Sequence, residues 1–154
     1  MNDAHLHIIA NHFPIIGTIF GLGIVLVGLF LKNNVLKNTA YSLFIIAAIF
    51  GFLSMNTGEG AEEIVEDFPN IGKQIIHEHE ELAEKFAVVL YILAVVSIAG
   101  LYLNVKKHAK GFLVSIIVAI IAVLGVFLAQ QTGVSGGEIR HTEIRNNPLP
   151  NQSE

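Results

Sequence analysis

Residues 5–31 read HLHIIANHFPIIGTIFGLGIVLVGLFL, and no charge interrupts residues 13–31. A helix rises 1.5 Å per residue and a bilayer core is about 30 Å thick, so roughly 20 apolar residues cross it. The stretch therefore predicts a transmembrane helix with His5, His7 and His12 crowded at its entrance. Three further apolar runs follow, at 39–55, 86–103 and 111–129. The chain is 53% hydrophobic and 14% charged, with a mean hydropathy of +0.61, where a soluble domain carries about 25% charged residues. The expected fold is all-α: an integral membrane four-helix up-down bundle over residues 1–145. Its spans are placed at about 12–32, 38–56, 80–103 and 109–131, with a disordered tail at 146–154, NNPLPNQSE. The opening MNDAHLH has no basic n-region and no small-residue cleavage site follows the first run, so that run is read as a retained span. The chain contains no cysteine, which excludes disulfides, thiolate metal sites, iron–sulfur clusters and covalently attached haem.

Charge orients the bundle. The loops after spans 1 and 3 carry Lys32, Lys37, Lys106, Lys107 and Lys110 and no acid. The loop after span 2 holds Glu59, Glu62, Glu63, Glu66, Asp67 and Glu78 against Lys73 alone. Positive residues in short loops stay cytoplasmic, so both termini are expected outside the inner membrane of a bacterium. Six of the seven histidines then share the outer side: His5, His7, His12, His77, His79 and His141, with His108 among the lysines.

The halves of the sequence look alike. Spans 1 and 3 are entered through HLHIIANH and HEHEE, and spans 2 and 4 exit through NTGEGAEEI and QTGVSGGEI. A duplicated helical hairpin is expected, with Thr57–Gly58 matching Thr132–Gly133 and helices 1 and 3 on one diagonal. Asn11 reads as the N-cap of helix 1 with Pro14 in its first turn, and Gly58 and Gly133 as left-handed caps. Gly136 and Gly137 permit a sharp turn that would fold Arg140 and His141 back over the outer mouth.

Ionisable residues at transmembrane helices are expensive and tend to be functional, and the neutral imidazole is a metal ligand. A diagonal of about 14 Å leaves room for a flat macrocycle. On helix 3, His79, Leu82, Ala83, Phe86, Ala87 and Leu90 form one stripe, with His77, Glu80, Glu81 and Glu84 on another. The first axial pair for b-type haem is therefore read as His12 with His79 or His77, with His7 and His141 serving a second haem or supplementing the first. Gly21, Gly51, Ala87 and Gly125 would admit the ring, Phe13, Phe52 and Phe86 would pack it, and Arg140 would pair with a propionate or with Glu59, Glu62 or Glu63.

Two motifs carry a family resemblance. HIIANHFPI resembles the opening H-P-x-x-V-H-F-P-I of the family known as domain of unknown function 2231, matched at His7, His12, Phe13, Pro14 and Ile15, with Ile8 in place of the proline. GVSGGEIRH resembles its closing G-x-x-G-G-E-L and histidine, with His141 sooner after the glycines. The resemblance implies a small bacterial four-span membrane protein, similar to two-haem membrane cytochromes. The expected function is electron carriage by one or two b haems at the outer face, without substrate conversion. The bilayer and a quinone or periplasmic cytochrome would be its partners, within a homo-oligomer or larger respiratory complex and without nucleic acid. Two alternatives stay open: a non-haem site for zinc, copper or iron, and a cofactor-free accessory subunit.

Overall fold

The computed structural model describes residues 2–66, 68 and 71–145. The expected disordered tail at 146–154 lies outside the described residues. Four helices follow one another: α1 (Asp3–Phe30), α2 (Asn34–Val65), α3 (Lys73–Val105) and α4 (Gly111–Arg140), with a 3-10 turn at Thr142–Ile144. Successive helices pack side by side, α4 closes against α1, and α1 and α3 stand on a diagonal. All four are long and apolar enough to cross a membrane. Their outward surface is apolar as well, with Phe20, Val95, Ile120 and Phe127 all more than half exposed. Lipid is the solvent that suits such a surface, and this is a multi-pass membrane protein.

The helices hold 28, 32, 33 and 30 residues, roughly 42 to 50 Å each and more than a bilayer core needs. Most of the excess lies at the end bearing the histidines. Helix α1 starts at Asp3, far ahead of the expected Asn11, because Asn2 caps it: its side chain accepts from the His5 N–H at 3.0 Å. Pro14 consequently lies inside the helix. Its missing N–H leaves one i−4 bond unmade, and Thr18 Oγ1 donates to the Pro14 carbonyl at 2.6 Å.

The glycines expected to end helices do not end them. Gly58, Gly133, Gly136 and Gly137 are all helical, and among the described residues no glycine has a positive φ. Arg140 and His141 are therefore not folded back by a glycine turn. Gly136 and Gly137 serve close approach, since a Cβ would lie 2.9 Å from the His79 ring at the first and 3.3 Å from Ile144 at the second, whereas at Gly58 and Gly133 a Cβ would make an ordinary contact. The left-handed positions belong to Lys32 (φ 51°) and Lys107 (φ 52°) in the two turns of the opposite end. There Asn33 N–H bonds the Gly28 carbonyl and His108 N–H the Leu103 carbonyl, both at 2.9 Å, closing α1 and α3 as Schellman turns.

Packing follows a seven-residue row on every helix. On α1 it runs His7, Pro14, Gly21, Gly28; on α3, His79, Phe86, Leu93, Gly100; on α2, Lys37, Phe44, Gly51, Gly58; on α4, Gly111, Val118, Gly125, Thr132. Every member is buried or half-buried, as a left-handed bundle seam requires. Small residues let aromatic rings in from the facing helix. Phe44 occupies the space beside Gly21, and a Cβ at Gly100 would lie 2.8 Å from the Tyr41 ring. The buried Tyr41 hydroxyl donates to Ser115 Oγ at 2.7 Å, and Ser115 donates on to the Gly111 carbonyl at 2.8 Å. No polar group of that chain is left unpaired in the apolar core, where each would cost several kcal/mol, on the order of 2–7.

Candidate functional site

At the end where the chain starts, α1 and α3 each turn one histidine into the bundle. They are His7 and His79, both half-buried. Both stand at the head of their seven-residue row, so the packing register that buries Gly28 and Gly100 also aims these two rings inward.

His7 Nδ1 lies 2.9 Å from the carbonyl oxygen of Ser54 on α2. A carbonyl only accepts, so Nδ1 carries the proton and, in the neutral ring, Nε2 carries a lone pair. Thr57 Oγ1 donates to the same carbonyl at 3.1 Å. Helix α4 treats His79 in the same way. His79 Nδ1 lies 2.9 Å from Ser135 Oγ, and Ser135 donates its own proton to the Thr132 carbonyl at 3.1 Å. The hydroxyl must then accept from the ring, and the Thr132 carbonyl is a further partner for it. Among the described residues neither Nε2 has a hydrogen-bond partner.

Each ring thus rests on a pentad of the same form, SMNTG at 54–58 and TGVSG at 132–136. A hydroxyl residue stands first and fourth, so that the fourth bonds back to the carbonyl of the first, and glycine stands fifth, beside the ring. The wall is small throughout. A Cβ at Gly58 would sit 3.9 Å from His7 Cε1, and one at Gly136 only 2.9 Å from His79 Cε1. Thr132 Oγ1 is fully buried in this wall and has no hydrogen-bond partner among the described residues.

The other expected ligands lie elsewhere. His12 is exposed on the outer surface of α1, its Nδ1 bonded to its own helix at the Ile8 carbonyl, 2.6 Å away. The expected pairing of His12 with His79 is thereby corrected: residue 12 is out of phase with the 7–14–21–28 row, and His7 stands where His12 was expected. His77 is exposed beside Glu80 and Glu81, at 3.8 and 3.5 Å. His141 is exposed and contacts Glu143 at 2.9 Å. Arg140 pairs with no expected glutamate; its guanidinium lies over the Phe68 ring, 5.5 Å from the centroid. Arg145 instead caps α4, donating to the carbonyls of Glu138 and Ile139 at 2.7 and 3.0 Å. Glu62 and Glu80 share a hydrogen bond between α2 and α3 above the site, which raises the Glu62 carboxyl above its ordinary range.

The expected macrocycle slot deeper in the bundle is filled. Phe44 closes the space beside Gly21, Leu90 that beside Gly51 at 3.0 Å, and Thr18 that beside Gly125 at 3.1 Å. Phe13 and Phe52 face outward at 47% and 57% exposure; Phe13 stacks on Phe50 with ring centroids 4.2 Å apart. The layer of His7 and His79 keeps small walls, and among the described residues neither Nε2 there has a hydrogen-bond partner. Among the described residues no three histidine or acidic side chains gather as a metal-ion cage.

Sequence reasoning missed Ser54 and Ser135, and read Thr57 and Thr132 only as marks of the repeat. The signal that finds them is the hydroxyl-x-x-hydroxyl-glycine pentad, which pairs Gly58 with Gly136 rather than with Gly133. No family model, curated protein or solved structure matches the chain.

Proposed function

We propose that this protein holds b-type haem through His7 and His79 and carries electrons at the outer face of a bacterial cytoplasmic membrane. One observation carries the reading. Two imidazoles on diagonal helices have their Nδ1 protons committed to α2 and α4, and both Nε2 lone pairs are left without a partner among the described residues. Haem-ligating histidines are oriented and made more basic by such bonds from the second ring nitrogen. The donor set fits the group, as do the small pentad walls and the orphaned Thr132 hydroxyl. Haem supplies one-electron chemistry; the chain supplies the two bases, fixes their tautomer and keeps bulky side chains out of their layer.

The rest of the reading follows from charge and repetition. Lys32, Lys106, Lys107 and Lys110 in the two short turns, with Lys37 in the first turn of α2, support an orientation in which the opposite end, with His7 and His79, lies outside. The two pentads, and the histidine-to-glycine rows on α1 and α3, support a duplicated hairpin whose two copies each contribute one ligand. A quinone or a periplasmic cytochrome is the class of partner that an outer-face carrier would serve.

The test is an absorption spectrum. Protein purified from cells supplied with a haem precursor should show a low-spin Soret band with sharp α and β bands on reduction. His7→Ala and His79→Ala should each abolish the low-spin spectrum, while His12→Ala should retain it. A colourless preparation that stays colourless on haemin titration overturns the proposal, and so does a spectrum indifferent to His7 and His79.

A further inference from the structure

The opposite end of the bundle holds a second constellation, independent of the haem reading. A cleft of about 330 Å³ opens between the start of α2 and the α3–α4 turn, lined by Asn34, Lys37, Asn104, Lys107, His108 and Phe112 among others, with no acid in its wall. Lys37 is the unusual member. It is only 4% exposed, and its stem is wedged against Gly28, where a Cβ would come within 2.9 Å of Lys37 Cγ. Among the described residues its ammonium has no ion pair or hydrogen bond; its one close partner is the face of Phe112, 5.9 Å from the centroid. A buried charge without a counter-charge is costly, and this one belongs to a residue that lines the cleft, with its ammonium beside Phe112 of the same wall.

The surroundings are those of an anion site. Lys107 and His108 lie in a turn held in shape by the left-handed Lys107 and by the His108 N–H bond to Leu103. Helix α4 begins at the same cleft with no side-chain cap; Gly111 N–H is bonded to the His108 carbonyl at 2.9 Å and Lys110 N–H to His108 Nδ1 at 3.1 Å, so what the helix start adds to the cleft is the positive end of its dipole. Asn104 is already engaged, donating to Asn38 Oδ1 at 2.9 Å; the positive charge is what remains uncompensated. Apolar side chains surround the mouth, with Leu31, Val35, Val105 and Leu113 all more than half exposed.

We propose that this cleft binds a phosphate group, with Lys37 as the buried anchor and Lys107 and His108 at the rim. The phosphate comes either from the headgroup of an anionic lipid, whose acyl chains would lie on the surrounding apolar side chains, or from free phosphate in solution.

The experiment is thermal unfolding of the full chain in a neutral detergent, followed by helical circular dichroism. Phosphatidylglycerol, phosphatidylcholine and inorganic phosphate are titrated separately. Phosphatidylglycerol should raise the melting temperature beyond the phosphatidylcholine response. Lys37→Met should weaken its apparent affinity about tenfold or more, the loss expected for a charge-assisted contact, and Lys106→Gln, outside the cleft, should leave it unchanged. A shift with inorganic phosphate that is lost in Lys37→Met assigns the site to the free anion. Should Lys37→Met fail to fold, the double variant Lys107→Gln/His108→Gln carries the test and should weaken the phosphatidylglycerol response severalfold. The proposal is overturned if the two lipids act alike while phosphate is silent, or if the cleft variants respond as the wild type does.

Discussion

The two pentads form an internal control, because the same substitution should act differently in each. Gly58→Ala and Gly136→Ala both place a methyl group beside a histidine ring, and both replace glycine by alanine within a helix, which favours folding by about 1 kcal/mol. At Gly58 the new Cβ would lie 3.9 Å from His7 Cε1, an ordinary contact. The gain should survive and raise the melting temperature by about 2–4 °C in a chain of this size. At Gly136 it would lie 2.9 Å from His79 Cε1 and 3.4 Å from Nδ1. The ring must swing away, and the 2.9 Å bond to Ser135 goes with it. That bond contributes about 0.5–1.5 kcal/mol, enough to cancel the propensity gain. Gly136→Ala should therefore leave stability near the wild-type value while displacing a ligand, and haemin affinity should fall about tenfold or more. Melting in detergent reads the first effect and a Soret titration reads the second. The reasoning fails if Gly136→Ala gains as much stability as Gly58→Ala and takes up haemin like the wild type. A loss of the stability contrast alone would mean that His79 does not rest on Gly136. A preserved contrast with unchanged haemin uptake would count against the ligand assignment instead.

Two further outcomes follow from the packing and the charges. Gly100→Ala would bring a Cβ within 2.8 and 2.9 Å of a Tyr41 ring that is fully buried and tied to Ser115, so it should destabilise by about 1–3 kcal/mol. Gly23→Ala, with nothing within 4 Å, should be neutral or stabilising, and equal melting temperatures for the two would refute the seam. Glu62 is raised above its ordinary 4.5 chiefly by its hydrogen bond to Glu80. Its contribution is complete below that value and is lost as pH rises through the raised folded value. Glu62→Gln keeps a donor toward Glu80 and should flatten this dependence between acid and neutral pH; superimposable melting profiles of variant and wild type would contradict it.

The four helices were legible because lipid-facing and core-facing positions are both apolar, so each span reads as an unbroken run. Their ends were not. Asn11 has the chemistry of an N-cap, but Asn2 has it too, accepting from the His5 N–H on its side chain and from the Leu6 N–H on its carbonyl, and the helix that starts earlier gains those bonds at the cost of one missing bond at Pro14. Gly58, Gly133 and Gly136 carry the usual signature of a helix stop. At Gly136 the His79 ring needs the space of the absent Cβ, a tertiary demand that leaves no local trace, whereas at Gly58 and Gly133 a Cβ would make an ordinary contact with His7 and Ile15. The left-handed positions fell to Lys32 and Lys107, where a strained lysine in a tight turn outweighed the glycine rule.

His12 attracted the first assignment because it lies nearest the apolar run, and closeness to the membrane is a poor guide to which way a side chain points. Phase is the better guide. Counting back by sevens from Gly28 gives Gly21, Pro14 and His7; counting back from Gly100 gives Leu93, Phe86 and His79. Glycine at one end of each row marks where a facing helix presses in, and helical periodicity carries that direction unchanged to the histidine at the other end. The inward aim of His7 and His79 is therefore set by residues some 30 Å away along the helix, and with the helices unbroken in phase, turning the two rings outward would unpack Gly28 from Lys37 and Gly100 from Tyr41. A one-residue insertion between His7 and Pro14 would keep the lower bundle intact and rotate His7 by about 100° out of the seam. Site and scaffold are thus separable by a change of phase alone.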